Sequence, residues 1–218
     1  VQTCALPIYS QGAGNSTIGT AGDVLGFSGY GSRTLTLNSA DTRTTTINFI
    51  IGDSGGPTSV AISGPQGNNA VGVPYVGAGD YGVVKLAATN TYTGTTTIYR
   101  GVLDVSTATA LPGGFGGTTQ TTSNTGGNAI IFAGGNTGSF RAILQISNGL
   151  DFYRSVGTGF DQVQWISSGG LGNGGFSNGV QGTTRVVNLG GSGAQLTWGS
   201  GNFVSDGAEL EFSQTGNV

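Results

Sequence analysis

An all-β chain wound as a right-handed parallel β-helix is the fold this sequence predicts, and three observations carry it. Glycine supplies 44 of 218 residues, while charged residues make up only 8%. Gly, Thr, Ser and Asn are poor in helix interiors, and short β-branched runs recur between turn clusters without helical periodicity. The run Thr-Thr-Thr-Ile occurs at residues 44–47 and again at 95–98, with a looser echo at 182–189 (GTTRVVNL), as expected for stacked copies of one unit. An antiparallel β-sandwich is the alternative, and antiparallel pairing around Ile47 or Ile98 would decide for it.

Along the chain, residues 34–38 (TLTLN) alternate as a half-buried strand does, and 44–51 (TTTINFII) give a second run that stops at Gly52. Further strands are predicted at 71–76, 84–86, 95–98, 101–105, 129–133, 140–146, 162–166, 194–198 and 210–212. Between them lie Gly-rich turns, at 113–117, 126–127, 134–135, 169–175 and 190–193. Asn148-Gly149, Asn173-Gly174 and Asn178-Gly179 suit positive φ. Residues 169–182 are so rich in glycine that a loop excursion is expected there.

In a parallel β-helix each coil stacks ~4.8 Å above the last, so backbone groups pair between coils and inward Val, Ile, Leu and Phe form one core. Scarce charge fits, because stacked like charges repel where Thr, Ser and Asn hydrogen-bond. Coils of roughly 20–25 residues give an expectation of about nine coils and ~40 Å of axis.

Residues 82–114 read GVVKLAATNTYTGTTTIYRGVLDVSTATALPGG. They combine a β-branched strand, Asn-Thr-Tyr-Thr-Gly, Thr-Thr with a second strand, Gly-Val-Leu-x-Val and Ala-Leu-Pro-Gly. In that combination the stretch closely resembles the passenger-associated transport repeat (autotransporter-associated β-strand repeat) of bacterial autotransporters. The resemblance covers about one repeat. It implies a secreted or outer-membrane-associated cell-surface protein with a translocator barrel elsewhere in the full chain, a structural role, and Asn90, Thr91, Tyr92, Thr93, Gly94, Thr95 and Thr96 as repeat-specific structural residues. Residues 185–213 are more loosely similar to segments of large exported repeat proteins.

Residues 1–8, VQTCALPI, resemble the in-frame translation of a common sequencing adapter and are set apart from residues 9–218, the predicted solenoid. On this reading the native N terminus lies elsewhere, the missing signal peptide is uninformative, and Cys4 is not native. Residue 218 follows a strand without a polar cap, so a truncated C terminus is expected as well.

Composition narrows the function. A net charge of −3 with Lys85 as the only lysine offers no surface for phosphates, so no nucleic acid is expected. No apolar run reaches the ~20 residues that span a bilayer, so this segment is not expected to insert in a membrane. Histidine is absent and the one cysteine is discounted, so no metal and no cofactor are expected.

Four patterns invite chemistry. Residues 52–57, GDSGGP, match the nucleophile motif of chymotrypsin-like proteases, but that serine needs a histidine base and the chain has none. Pairing Ser54 with Lys85 is the remaining option, and a strand-ending turn is the better reading. Asp151, Asp161, Glu209 and Glu211 would suit a carbohydrate-active β-helix only if gathered in one groove. Partial calcium-repeat matches at 77–80 and 169–173 lack the repetition such sites need. Trp165 and Trp198 are candidate ligand contacts, by stacking on sugar rings, against ordinary sheet packing. No catalytic residue is assigned. The expected function is a structural stalk that assists export and display, with an adhesin or glycan-binding module as the alternative and cell-surface or glycan ligands as partners.

Overall fold

The computed structural model describes residues 8–10, 14–27, 29–39, 43–63, 82–115, 129–135, 142–166, 172–190 and 195–214. The strand expected at 71–76, the segment 1–7 with Cys4, and residues 77–80 lie outside them. Among the described residues there are sixteen strands: β1 (Ile8–Ser10), β2 (Ser16–Ile18), β3 (Val24–Leu25), β4 (Arg33–Ser39), β5 (Thr44–Ile47), β6 (Ile50–Ile51), β7 (Thr58–Ser63), β8 (Val83–Leu86), β9 (Thr96–Val105), β10 (Ile130–Phe132), β11 (Ala142–Ile146), β12 (Phe152–Tyr153), β13 (Val163–Trp165), β14 (Gly174–Asn178), β15 (Val187–Asn188) and β16 (Leu210–Gln214). A 3-10 turn, Ala108–Ala110, follows β9.

Every strand ladder is parallel, which establishes the parallel β-helix and sets the sandwich aside: Ile47 stands beside Ile18 and Leu86, and Ile98 beside Ile62 and Phe132, all in parallel register. The chain winds over three sides. The first stacks β1, β4, β7, the first half of β9, β10 and β13. The second stacks β2, β5, β8, the second half of β9, β11, β14 and β16. The third holds β3 on β6 and β12 on β15, with the segments around Thr91 and Thr109 between them, joined by Thr91 N–H to the Ile51 carbonyl (2.9 Å) and Asn90 N–H to the Thr109 carbonyl (3.0 Å).

Seven rungs on the second side at ~4.8 Å spacing give an axis of ~29 Å. The described residues therefore form fewer and longer coils than the nine expected. The register advances only 19 residues from Val84 to Leu103 but 41 from Gly101 to Ala142. A uniform period fails because the corners, unlike the rungs, vary freely in length. Residues 174–178, placed in an expected loop excursion, are instead the fully paired β14.

The Thr-Thr-Thr-Ile echoes do not stack on one another either. Residues 44–47 lie on the second side, 96–98 on the first and 187–188 on the third. What the echoes share is a strand preference, with Thr45 and Ile47 inward in one copy and Thr96 and Ile98 inward in the other.

The sequence signals at 95–98 and 101–105 merge into a single strand, β9, that turns from the first side to the second. Gly101 makes the corner with φ +91°, a conformation costly for other residues. Inside, Leu35, Leu37, Ile47, Ile51, Val60, Ile62, Leu86, Ile98, Leu103 and Val105 form a continuous core that runs on through Phe132, Leu144, Phe152, Trp165 and Phe176. β4 alternates strictly between buried and half-buried residues, as a one-sided strand must. β10, β11 and β13 are buried on both faces, and outward Ala129, Ile131 and Ala133 form a small apolar cluster of their own with Ile166.

Candidate functional site

The repeat-motif residues fall at one corner of the coil, where the third side returns to the first. Asn90 is buried, and its amide spans three coils. Oδ1 accepts from the Ile51 N–H below (2.8 Å), and Nδ2 donates to the Ala110 carbonyl above (2.7 Å). Only a side chain with an acceptor and a donor at that length can satisfy both buried backbone groups. Tyr92 fills the core and shares a 2.7 Å hydrogen bond with Thr96 Oγ1. Thr91 and Thr93 point to solvent, and the Thr95 N–H donates to Ser59 Oγ (3.2 Å). Gly94 passes so close to Thr58 that any Cβ would collide with that residue's carbonyl and with the Ser59 hydroxyl.

The protease-like residues 52–57 form the same corner one coil earlier. Asp53 is a fastener: Oδ1 accepts from the Thr58 N–H (2.7 Å) and the Thr93 N–H (3.2 Å), and Oδ2 from the Thr93 hydroxyl (2.5 Å). Arg33 Nη1 donates to the Ser54 carbonyl (2.8 Å), and Gly55 accepts from Gly31 N–H (3.1 Å) in the corner below. Lys85 lies on the second side with its ammonium 3.9 Å from Asp104 Oδ2, so it is directed at the facing strand and not at Ser54. Asp53→Ala should therefore cost about 1–3 kcal/mol, since it removes an acceptor shared by three donors, whereas Ser54→Ala should stay within about 0.5 kcal/mol. Urea unfolding of the two variants checks this.

The two tryptophans have different places. Trp165 is only 2% exposed, packs on Phe132 (4.8 Å), Phe203 (5.2 Å) and Phe176 (6.3 Å), and donates Nε1–H to the Gly174 carbonyl (3.1 Å). It is a core residue and presents no face to a ligand, which corrects the sequence expectation. The reason is the inward alternation of β13, where Val163 and Trp165 share the core side. Trp198 is 48% exposed and rests on Phe203 (6.1 Å, 79°). The pair is joined only through buried Phe203, so the two indoles form no common surface.

The four acidic residues fall in three separate parts of the coil. Asp151 sits by the third side, accepting from the Val186 N–H (2.9 Å) and the Tyr153 hydroxyl (3.4 Å). Asp161 lies in the corner before β13, and Glu209 and Glu211 at the last rung of the second side. Among the described residues no three His, Cys, Asp or Glu side chains gather where they could hold a metal ion.

Sequence reasoning missed Arg154. Its guanidinium is buried, with Nε donating to the Gly114 carbonyl (3.0 Å) and Nη2 to the Pro112 carbonyl (2.9 Å), so it secures the Ala-Leu-Pro-Gly segment from one coil above. Burial pushes its pKa down to about 10, an effect that nearby Asp161 partly opposes; the group stays charged at neutral pH. The signal was present, because Phe152, Arg154 and Val156 alternate on one face, with Phe152 in the core and Val156 packed against it.

No family model, curated protein or solved structure matches the chain. Among the described residues, no helix is long and apolar enough to cross a membrane.

Proposed function

We propose that this chain is a segment of the structural stalk of an exported, autotransporter-like cell-surface protein, assisting secretion and display. The observation that supports it best is that residues 82–102 close one whole coil and residues 103–114 lay the start of the next upon it. β8 is followed 19 residues later by its own neighbour in the second half of β9. The Asn-Thr-Tyr-Thr-Gly residues between them bind the coils on both sides. A coil whose distinctive residues serve stacking suits a rod that folds progressively as it emerges, since each coil needs only its neighbour. The test places the chain between a cleavable export signal and an outer-membrane translocator barrel in a Gram-negative host, and cleaves intact cells with added protease. Surface cleavage of the wild type, reduced in Asn90→Leu, supports the reading. A folded chain retained in the periplasm overturns it.

A second reading, an adhesin or glycan-binding module, rests on Trp198, a half-exposed indole fixed edge-on by Phe203. Glycans that quench its fluorescence in the wild type but bind Trp198→Ala equally well would count against it.

A further inference from the structure

The three Asn-Gly pairs of the chain, at residues 148, 173 and 178, are held very differently by the coils around them. We infer that Asn148-Gly149 is a self-modification site, at which the folded chain converts its own asparagine into aspartate and isoaspartate. This goes beyond the stalk reading and does not depend on it.

Such a reaction needs a backbone nitrogen free to attack the side-chain amide of the residue before it. Gly149 is exposed, and its N–H has no hydrogen-bond partner among the described residues. It carries no side chain to crowd the attacking nitrogen, and it turns the corner after β11 with φ +82°. Asn148 Oδ1, the oxygen that gains charge as the nitrogen adds, accepts from the Leu150 N–H (2.8 Å), a donor already aimed where that charge develops. Nδ2, the leaving nitrogen, has no hydrogen-bond partner, so no bond holds it back.

The other two pairs are tied to neighbouring segments. Asn173 Nδ2 donates to the Gly135 carbonyl (2.7 Å), its Oδ1 accepts from the Glu209 N–H (2.9 Å), and the Gly174 N–H donates to the Glu209 carbonyl (3.0 Å). Asn178 Nδ2 donates to the Thr183 hydroxyl (3.1 Å), and the Gly179 N–H donates to the Ile146 carbonyl (3.0 Å). Each must open locally before its nitrogen can attack.

At Asn148 the Gly149 nitrogen gives its proton to solvent hydroxide and bonds to Cγ. The Cγ–Nδ2 bond breaks, and the nitrogen takes a proton from water and leaves as ammonia. Water then opens the cyclic imide, at Cγ to give aspartate or at the backbone carbonyl carbon to give isoaspartate. The coil can absorb both products. Isoaspartate adds a methylene to a corner, where length varies freely. The new carboxylate also forms near the Arg185 guanidinium, whose Nη2 lies 3.6 Å from where a Cβ on Gly149 would stand.

The test incubates the full chain in mildly alkaline buffer, folded and in urea, and follows its tryptic fragments by mass spectrometry. Trypsin cuts after Arg141, Arg154 and Arg185, so Asn148 falls in a fragment apart from Asn173 and Asn178. In urea the three pairs should react at similar rates. Folding should slow Asn173 and Asn178 by about tenfold or more and leave Asn148 within about threefold of its urea rate. Aspartate and isoaspartate are both expected at Asn148, the latter identified with an isoaspartyl methyltransferase, with conversion abolished in Asn148→Gln. Asn148→Asp, which carries one of the products, should keep the amide spectrum of the folded chain. Folded Asn148 reacting no faster than Asn173 or Asn178, or unfolding of the coil in Asn148→Asp, overturns the proposal.

Discussion

Asn90→Leu is expected to destabilise the coil stack by about 4 kcal/mol, although leucine has nearly the same size and is more apolar. The cost comes from what the leucine cannot do. The Ile51 N–H and the Ala110 carbonyl stay buried, each now without a partner, at about 1–3 kcal/mol apiece. Ile51 already accepts from Thr91 through its carbonyl, but its N–H depends on the asparagine. Hydrogen exchange of the Ile51 amide is the most direct readout. It should accelerate more than the exchange of amides in β14, three coils away, because solenoid stability is carried by neighbouring coils.

Asn90→Asp separates the two halves of this bridge. The carboxylate still accepts from Ile51 but faces the Ala110 carbonyl with no proton to give. Its folded pKa is therefore raised, the native state binds more protons than the unfolded one across that window, and stability falls as pH rises through it. Acidification should restore much of the loss, as the protonated acid again donates to Ala110. A variant equally unstable at pH 4 and pH 7, or an Ile51 amide unaffected in Asn90→Leu, would remove the bridging role.

The parts of this fold legible in the sequence are those governed by local chemistry. The alternation in β4 and the run in β5 marked strands because inward and outward residues differ on a one-sided sheet. The parallel architecture was legible for a related reason: a chain with so little charge and so many hydroxyl and amide side chains suits rungs that stack like on like. The coil period was not legible, because it is set by corners whose lengths have no characteristic composition. β14 was hidden for a physical reason too. Gly174 and Gly175 looked like loop residues, yet the second of them lies where a Cβ would collide with the Glu211 carbonyl, so glycine is what lets β16 approach.

The site residues divide in the same way. The Asn-Thr-Tyr-Thr-Gly residues stood out in the sequence as a set, and the structure gives each a contact or a place in one corner. Asp53 was noticed for the serine beside it, and its own role depends on Thr93, 40 residues on, a relation that sequence spacing alone does not encode.

Trp165→Ala is expected to cost about 3–5 kcal/mol and Trp198→Ala less than about 1 kcal/mol, a difference that distinguishes a core tryptophan from a surface one. Trp165 joins the rings of three rungs, Phe132 below, Phe176 beside it on the second side and Phe203 above, and its removal also leaves the Gly174 carbonyl without its indole donor. Because each coil depends on its neighbours, the damage should be local: amides in β11, β13 and β14 should exchange faster in Trp165→Ala, while those in β4 and β7, which contact neither ring nor cavity, keep their protection. The chain holds only two tryptophans, so fluorescence isolates each one. Emission from Trp198→Phe should resist acrylamide, and emission from Trp165→Phe should be quenched readily. If the single remaining Trp165 is quenched as easily as Trp198, the indole is not enclosed, and its assignment to the core falls with the expected energy difference.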